Sequence, residues 1–307
     1  GDEQAALRFI HDLARRKTAL TRVAGLGMVE LMAWIAEKYA GRTGKPDPIK
    51  ELQQFAMQTK GLPFSLYRTH RSLCMQASYA AASDIGAHHA AAWLVKVDLL
   101  GAFPTFEAKA NALITYPRVR LGNDNLGLCK LPWVDVFNPD SMKRQNTDIY
   151  INPASQELYA DFYNGMLGTT LTWENIFEQT DRDINLQRVM NVLSFGAATS
   201  ERDWIPDRAI GPTEDALYDL ERDYNDKHLS TFLNKPADEI AMMKTAEKRE
   251  ALMKHRKEEL RKLIHIYYSQ RGWTDKGIPK IDTLKQIGLW NFLSEEARTR
   301  ITAMNGR

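Results

Sequence analysis

The chain has 307 residues, 44% of them hydrophobic and 26% charged, with a net charge of +2. That is enough for one large or two modest domains with a sizeable core, and the chain is too apolar to be disordered. The near-neutral balance gives no reason to expect nucleic acid or an anionic membrane as a partner. No apolar run approaches the roughly 20 residues of a spanning helix. The opening residues Gly1-Asp2-Glu3-Gln4 carry no basic and apolar signal segment and no initiating Met, which suggests a processed or separate piece of a longer protein. Two cysteines, Cys74 and Cys129, support neither a disulfide framework nor a complete four-cysteine cluster, and a reducing cytoplasm is expected.

In chain order, residues 2–16 predict an amphipathic helix. Asp2 can cap it, and Ala6, Phe9, Ile10 and Leu13 recur at helical spacing. Residues 27–40 predict a second, with Met28, Leu31, Met32 and Ile35 on one face and Gly41 at its end. Asp47-Pro48 suits the start of a third, ending near Lys60-Gly61. Small residues dominate from Tyr79 to His89, where the backbone can approach another group closely. An apolar helix over 90–103, a break at Pro104 and a short helix over 105–115 follow. Residues 133–153 read as irregular, and Pro153 introduces a helix over 154–166, broken by Gly165 and Gly168. Thr172 caps the next helical stretch, and a helix through 181–188 continues its buried stripe with Val189, Val192 and Leu193. From about 214 to 262 both charge signs alternate at three- and four-residue spacing, the pattern of a solvated helix. Gly272 and Gly288 suit helix C-caps. The fold class is therefore mostly α. Cys74 has no partner spacing and reads as a buried, inert thiol.

The stretch with the most chemistry is Gly122-Asn123-Asp124-Asn125-Leu126-Gly127-Leu128-Cys129-Lys130. Asn, Asp and Gly tolerate positive φ, so it predicts a tight loop. Such a loop aims several backbone N–H groups one way and holds a carboxylate near a thiol. That suits a cofactor with amide or amine groups beside a metal–sulfur centre.

Asp124 to Cys129 resembles the Asp-x-x-Gly-Leu-Cys motif of the tungsten-containing aldehyde:ferredoxin oxidoreductase family. Further likenesses follow in the family's order. Lys60-Gly61-Leu62-Pro63 is similar to its Lys-Gly-Leu-Glu turn, and Tyr79 to His88 to its Tyr-Ala-Thr-Ser-x-Arg-Gly-x-x-His stretch. Asp181 to Arg188 resembles its Glu-Arg-Ile-x-Asn-Leu-Glu-Arg helix, which implies Arg182 and Arg188 as structural anchors. Tyr267-Tyr268 with Gly272-Trp273, Gly277-Ile278-Pro279 and Leu284 to Leu289 resembles the family's C-terminal pattern. Asp84-Ile85 stands where the family has Arg-Gly, and Ala90 where it has Lys; these departures bear on the substrate and on some pterin contacts.

The resemblance implies helical domains 2 and 3 of that fold, without the N-terminal β-rich domain. Residues 1–103 would form a helical domain at the pterin and metal crevice, and 104–307 a C-terminal one with the second pterin loop and a charged insertion. It implies oxidation of an aldehyde to a carboxylate at a tungsten bis-molybdopterin centre, with a Mg2+ bridging the pterins in the same set. Electrons would leave through a 4Fe–4S cluster to ferredoxin or an iron–sulfur subunit. By the same resemblance Cys129 is a cluster ligand, Asp124 with Asn125, Leu126, Gly127 and Leu128 fixes the pterin, and His88 transfers a proton. The other three cluster cysteines would come from an N-terminal half on another segment or chain. Two alternatives stand beside this: a reductive subunit of the benzoyl-CoA-reductase type within the family, and a non-catalytic helical interaction subunit.

Overall fold

The computed structural model describes residues 2–39, 52, 56–65, 69–84, 86–88, 94–127, 153–196 and 202–306. The protein is mostly α, as the periodicity predicts. Among the described residues the only strands are Gln58–Thr59 (β1) and Leu62–Pro63 (β2), paired antiparallel. Lys60 and Gly61 both take positive φ at their turn, so the expected third helix gives way to a hairpin before its predicted end. The expected start of that helix lies outside the described residues.

The contacts divide the chain into two units, each drawing on sequence from both sides of residue 103. The first comprises Gly1–Ser65, Ile85–Ala87 and Ile205–Arg256. It opens with α1 (Glu3–Ala14), whose Asp2 cap accepts from the Ala5 N–H at 3.0 Å. α2 (Ala19–Ala24) and α3 (Met28–Lys38) follow. α1 has no buried residue: Ala6, Phe9 and Ile10, three of the four residues of its expected apolar stripe, stay exposed. Later in the unit come α9 (Asp207–Ile210), α10 (Asp215–Leu220), α11 (Arg222–Leu233), α12 (Ala237–Met242) and the start of α13 (Thr245–Gln270). Tyr218, Leu229, Ile240 and Leu252 form their core. The charged stretch is thus only partly solvated. Lys248 is 1% exposed and donates to Asp226 Oδ2 at 3.0 Å, and Tyr218 Oη donates to Asp226 Oδ1 at 2.6 Å. Arg256, 3% exposed, donates to Asn225 Oδ1 at 3.1 Å. Alternating charge reads the same whether a lysine faces water or a buried carboxylate, so spacing alone did not separate the two cases.

The second unit comprises Leu66–Asp84, His88–Trp204 and Lys257–Arg307. It holds α4 (Leu73–Ala77), a π-helical turn at Ser78–Ala82, α5 (Val95–Leu99), α6 (Phe106–Asn125), α7 (Pro153–Leu167) and α8 (Trp173–Phe195). The rest of α13, α14 (Ile281–Gln286) and α15 (Glu295–Asn305) complete it. Thr172 caps α8 through a reciprocal box with Asn175, as expected from the sequence. Gly272 (φ +68°) and Gly288 (φ +72°) follow α13 and α14 in the left-handed conformation that a C-cap requires. One core joins Val119, Tyr159, Tyr163, Ile176 and Phe177; another joins Val189, Val192, Ile278, Leu284, Leu289 and Ile301.

Candidate functional site

The chemistry-bearing stretch is the end of α6. The helix starts on Thr105, whose hydroxyl accepts from the Ala108 N–H at 3.1 Å. It runs 20 residues through Pro117 and on to Asn125, so both the short helix at 105–115 and the tight loop from Gly122 are corrected. Intrinsic propensity argues against Gly-Asn-Asp-Asn in a helix, and packing overrides it. Gly122 is buried against α7, where an added Cβ would lie 3.3 Å from the Tyr159 ring. Two side-chain ties hold the last turns to α8. Arg118 pairs with Asp181 at 2.6 Å, and Asn125 Nδ2 donates to Asp183 Oδ2 at 2.8 Å.

This geometry changes what the stretch offers. The Leu126 N–H donates to Gly122 O and Asn123 O, both at 3.2 Å, and the Gly127 N–H to Asp124 O at 2.9 Å. Those amides are committed to closing the helix and are not aimed outward. The Gly122, Asn123 and Asp124 carbonyls take up those bonds, Asp124 itself is exposed, and Gly127 turns the chain away at φ +69°. Leu126 is partly buried against the Val119–Tyr163 core. Leu128 and Cys129 lie outside the described residues. His88 is exposed, in an irregular segment after the π turn.

Asn123 is the residue that sequence reasoning passed over. It is 1% exposed, and neither its Oδ1 nor its Nδ2 has a hydrogen-bond partner. It shares the buried face of α6 with Val119 and Arg120, at the i−4 and i−3 positions. Had the helix been recognised, that spacing would have marked it as inward-facing.

Two other buried clusters frame the same unit. Arg188 on α8 is fully buried: Nε donates to Gly277 O at 2.7 Å, Nη1 to Asp84 Oδ1 and Asp203 Oδ1 at 3.0 Å each, and Nη2 to Asp203 Oδ2 at 2.5 Å. Tyr268 Oη also donates to Asp203, and Trp273 lies 4.6 Å from the guanidinium. Burial pulls the Arg188 pKa down, but Asp203 and Asp84 outweigh it and hold the cation well above its ordinary range. Burial likewise pushes the Tyr268 phenol far up, and Asp203 adds to it. Asp84, the departure from the family pattern, serves as a partner of this arginine. The second cluster centres on Asp98, which accepts from Ser72 Oγ at 2.8 Å and the Cys74 N–H at 3.0 Å and pairs with Lys109. Burial, with Asp98 adding to it, raises the Cys74 thiol well above its usual range, in keeping with an inert side chain.

No described helix is long and apolar enough to cross a membrane. No curated protein matches the chain. The family model for aldehyde ferredoxin oxidoreductase, domains 2 & 3, matches residues 1–289. With that match over nearly its whole length and a helical fold, the chain belongs to the aldehyde ferredoxin oxidoreductase family.

Proposed function

We propose that this chain is the helical part of a tungstopterin oxidoreductase that converts an aldehyde to a carboxylate. The observation that carries the reading is the end of α6: Asp124 stands exposed on a helix terminus pinned to α8, immediately before the segment with Cys129. A carboxylate is an acceptor only. A pterin ring presents amino and amide N–H donors along its edge, so the donor and acceptor sets match. The unpartnered Asn123 amide in the same turn fits a polar ring as well.

The net reaction takes one aldehyde and one water to one carboxylate, three protons and two electrons. The metal–pterin group, when bound, supplies the two-electron redox chemistry, as cofactors do in general. The chain's own residues bind, orient and move protons. Asp124 would accept from the ring edge and fix its orientation, with Asn125, Leu126 and Gly127 closing the helix beside it and Leu128 following in the same motif. His88 takes up a proton released from the substrate side, since imidazole exchanges protons near neutrality. Cys129 would hold the 4Fe–4S cluster through its thiolate. The remaining cysteines and the first pterin loop come from an N-terminal segment or partner chain, and ferredoxin or an iron–sulfur subunit takes the electrons. A Mg2+ alongside the pterin cofactor and a cytoplasmic location belong to the same proposal.

The test is elemental analysis for tungsten, molybdenum and iron on natively purified protein, with intact masses of every co-purifying chain. Tungsten with about four or more irons per complex, and a second chain or segment bearing cysteines, is the expected result. Cys129→Ser should then lower the iron content. Unchanged iron in that variant, or no metal in the native protein, overturns the assignment.

A further inference from the structure

The inference rests on the functional reading above and concerns Asn123. A carboxamide both donates and accepts, and a buried one is almost always paired. At 1% exposure with both polar atoms unpartnered, Asn123 is an exception that needs a reason. Its backbone does not supply one, because the residue sits in regular helix between Gly122, packed on Tyr159, and Asp124. The arrangement costs stability in the protein alone, since an apolar side chain of similar size would avoid burying an unpaired amide. Such a cost is tolerated where a ligand offsets it.

We propose that the Asn123 carboxamide is a cofactor-positioning group, which hydrogen-bonds the pterin ring beside Asp124. The two side chains divide the ring's chemistry between them. Asp124 can only accept, so it suits amino and amide N–H groups. Asn123 adds what Asp124 lacks: Nδ2 donates to a ring carbonyl or ring nitrogen, while Oδ1 accepts from a neighbouring N–H. A lactam edge, with a donor next to an acceptor, is the shape a carboxamide matches. Together they would fix which edge of the ring meets the helix end, where a carboxylate alone leaves that choice open.

The test uses Asn123→Leu and Asn123→Ala in the protein as purified with its companion chains. One readout is pterin per mole of protein, measured by fluorescence of the oxidised, extracted ring, with tungsten and molybdenum by elemental analysis. The other is the urea unfolding midpoint after the cofactor has been stripped. Expected is about tenfold weaker pterin retention in both variants, the loss that removing one such interaction brings. The stripped Asn123→Leu protein should unfold at the same urea concentration as the stripped native protein or a higher one. Ala covers the case in which Leu overfills the site. Native protein that holds pterin, with both variants retaining it equally, overturns the role of Asn123 and leaves the functional reading intact. Native protein with no pterin overturns both.

Discussion

Two buried polar clusters in one unit, the arginine clamp on α8 and the amide at the end of α6, are built in opposite ways. All three nitrogens of Arg188 find acceptors within the chain, and the acceptors are two carboxylates and a carbonyl from distant segments. Asn123 is just as buried, and neither of its side-chain polar atoms has a hydrogen-bond partner. The first cluster is closed and ties α8 to the loop before α9 and to the Gly277 turn. The second is open, next to the residues that the family motif singles out. The two sites are equally buried and differ in how far their polar atoms are hydrogen-bonded.

The comparison is broken most directly at the clamp. Arg188→Met would leave Asp203 and Asp84 buried without their cation, and should cost about 3–5 kcal/mol in urea unfolding. A loss below about 1 kcal/mol would mean that the clamp is not what secures the α8 region. Gly277→Ala probes the same cluster through the backbone. At φ +71°, its new Cβ would fall 2.3 Å from Arg188 Nη2 and 2.7 Å from Tyr268 Cζ. At least ~1–2 kcal/mol should be lost from left-handed strain alone, with more from the displaced guanidinium. The open cluster should answer in the other direction, with Asn123→Leu neutral or stabilising in the stripped protein.

A third polar cluster, in the other unit, sharpens the contrast through pH. Burial first, then Arg256 and His255, push His228 down to about 4, and Arg256 Nε donates to its Nδ1 at 3.4 Å. Unfolded histidine titrates near ~6.5. Above that value both states are neutral and the contribution to stability is fully present. Between about 6.5 and about 4 the unfolded chain binds a proton that the folded one refuses, so stability falls as the pH falls. His228→Asn should flatten that part of the stability–pH curve; an unchanged slope would refute it. The smallest effect belongs to the tie at the end of α6. Asp183→Ala removes the exposed acceptor of Asn125 and should cost ~0.5–1 kcal/mol, read most sharply as faster amide exchange around 122–127.

Much of the helical framework was legible because capping and periodicity are local. Asp2, Thr172, Gly272 and Gly288 did what their positions predict. The end of α6 was misread for the same reason. Gly122 to Asn125 has the composition of a turn, and packing of the Tyr159 ring on Gly122 with the ties to Asp181 and Asp183 keeps it helical. The charged stretch was misread in part because a lysine paired with a buried carboxylate leaves no mark in the spacing.

What the sequence by itself determined is the fold class, most helix starts and stops, and the ordered motifs that place the chain in its family, since these depend on spacings of a few residues. Tertiary structure alone decided which charges are buried, that Asp84 and Asp203 share Arg188, and that Asn123 faces inward with no partner. These depend on segments 15 and 104 residues apart from Arg188 in the chain, and on packing that carries a helix through residues which would otherwise turn.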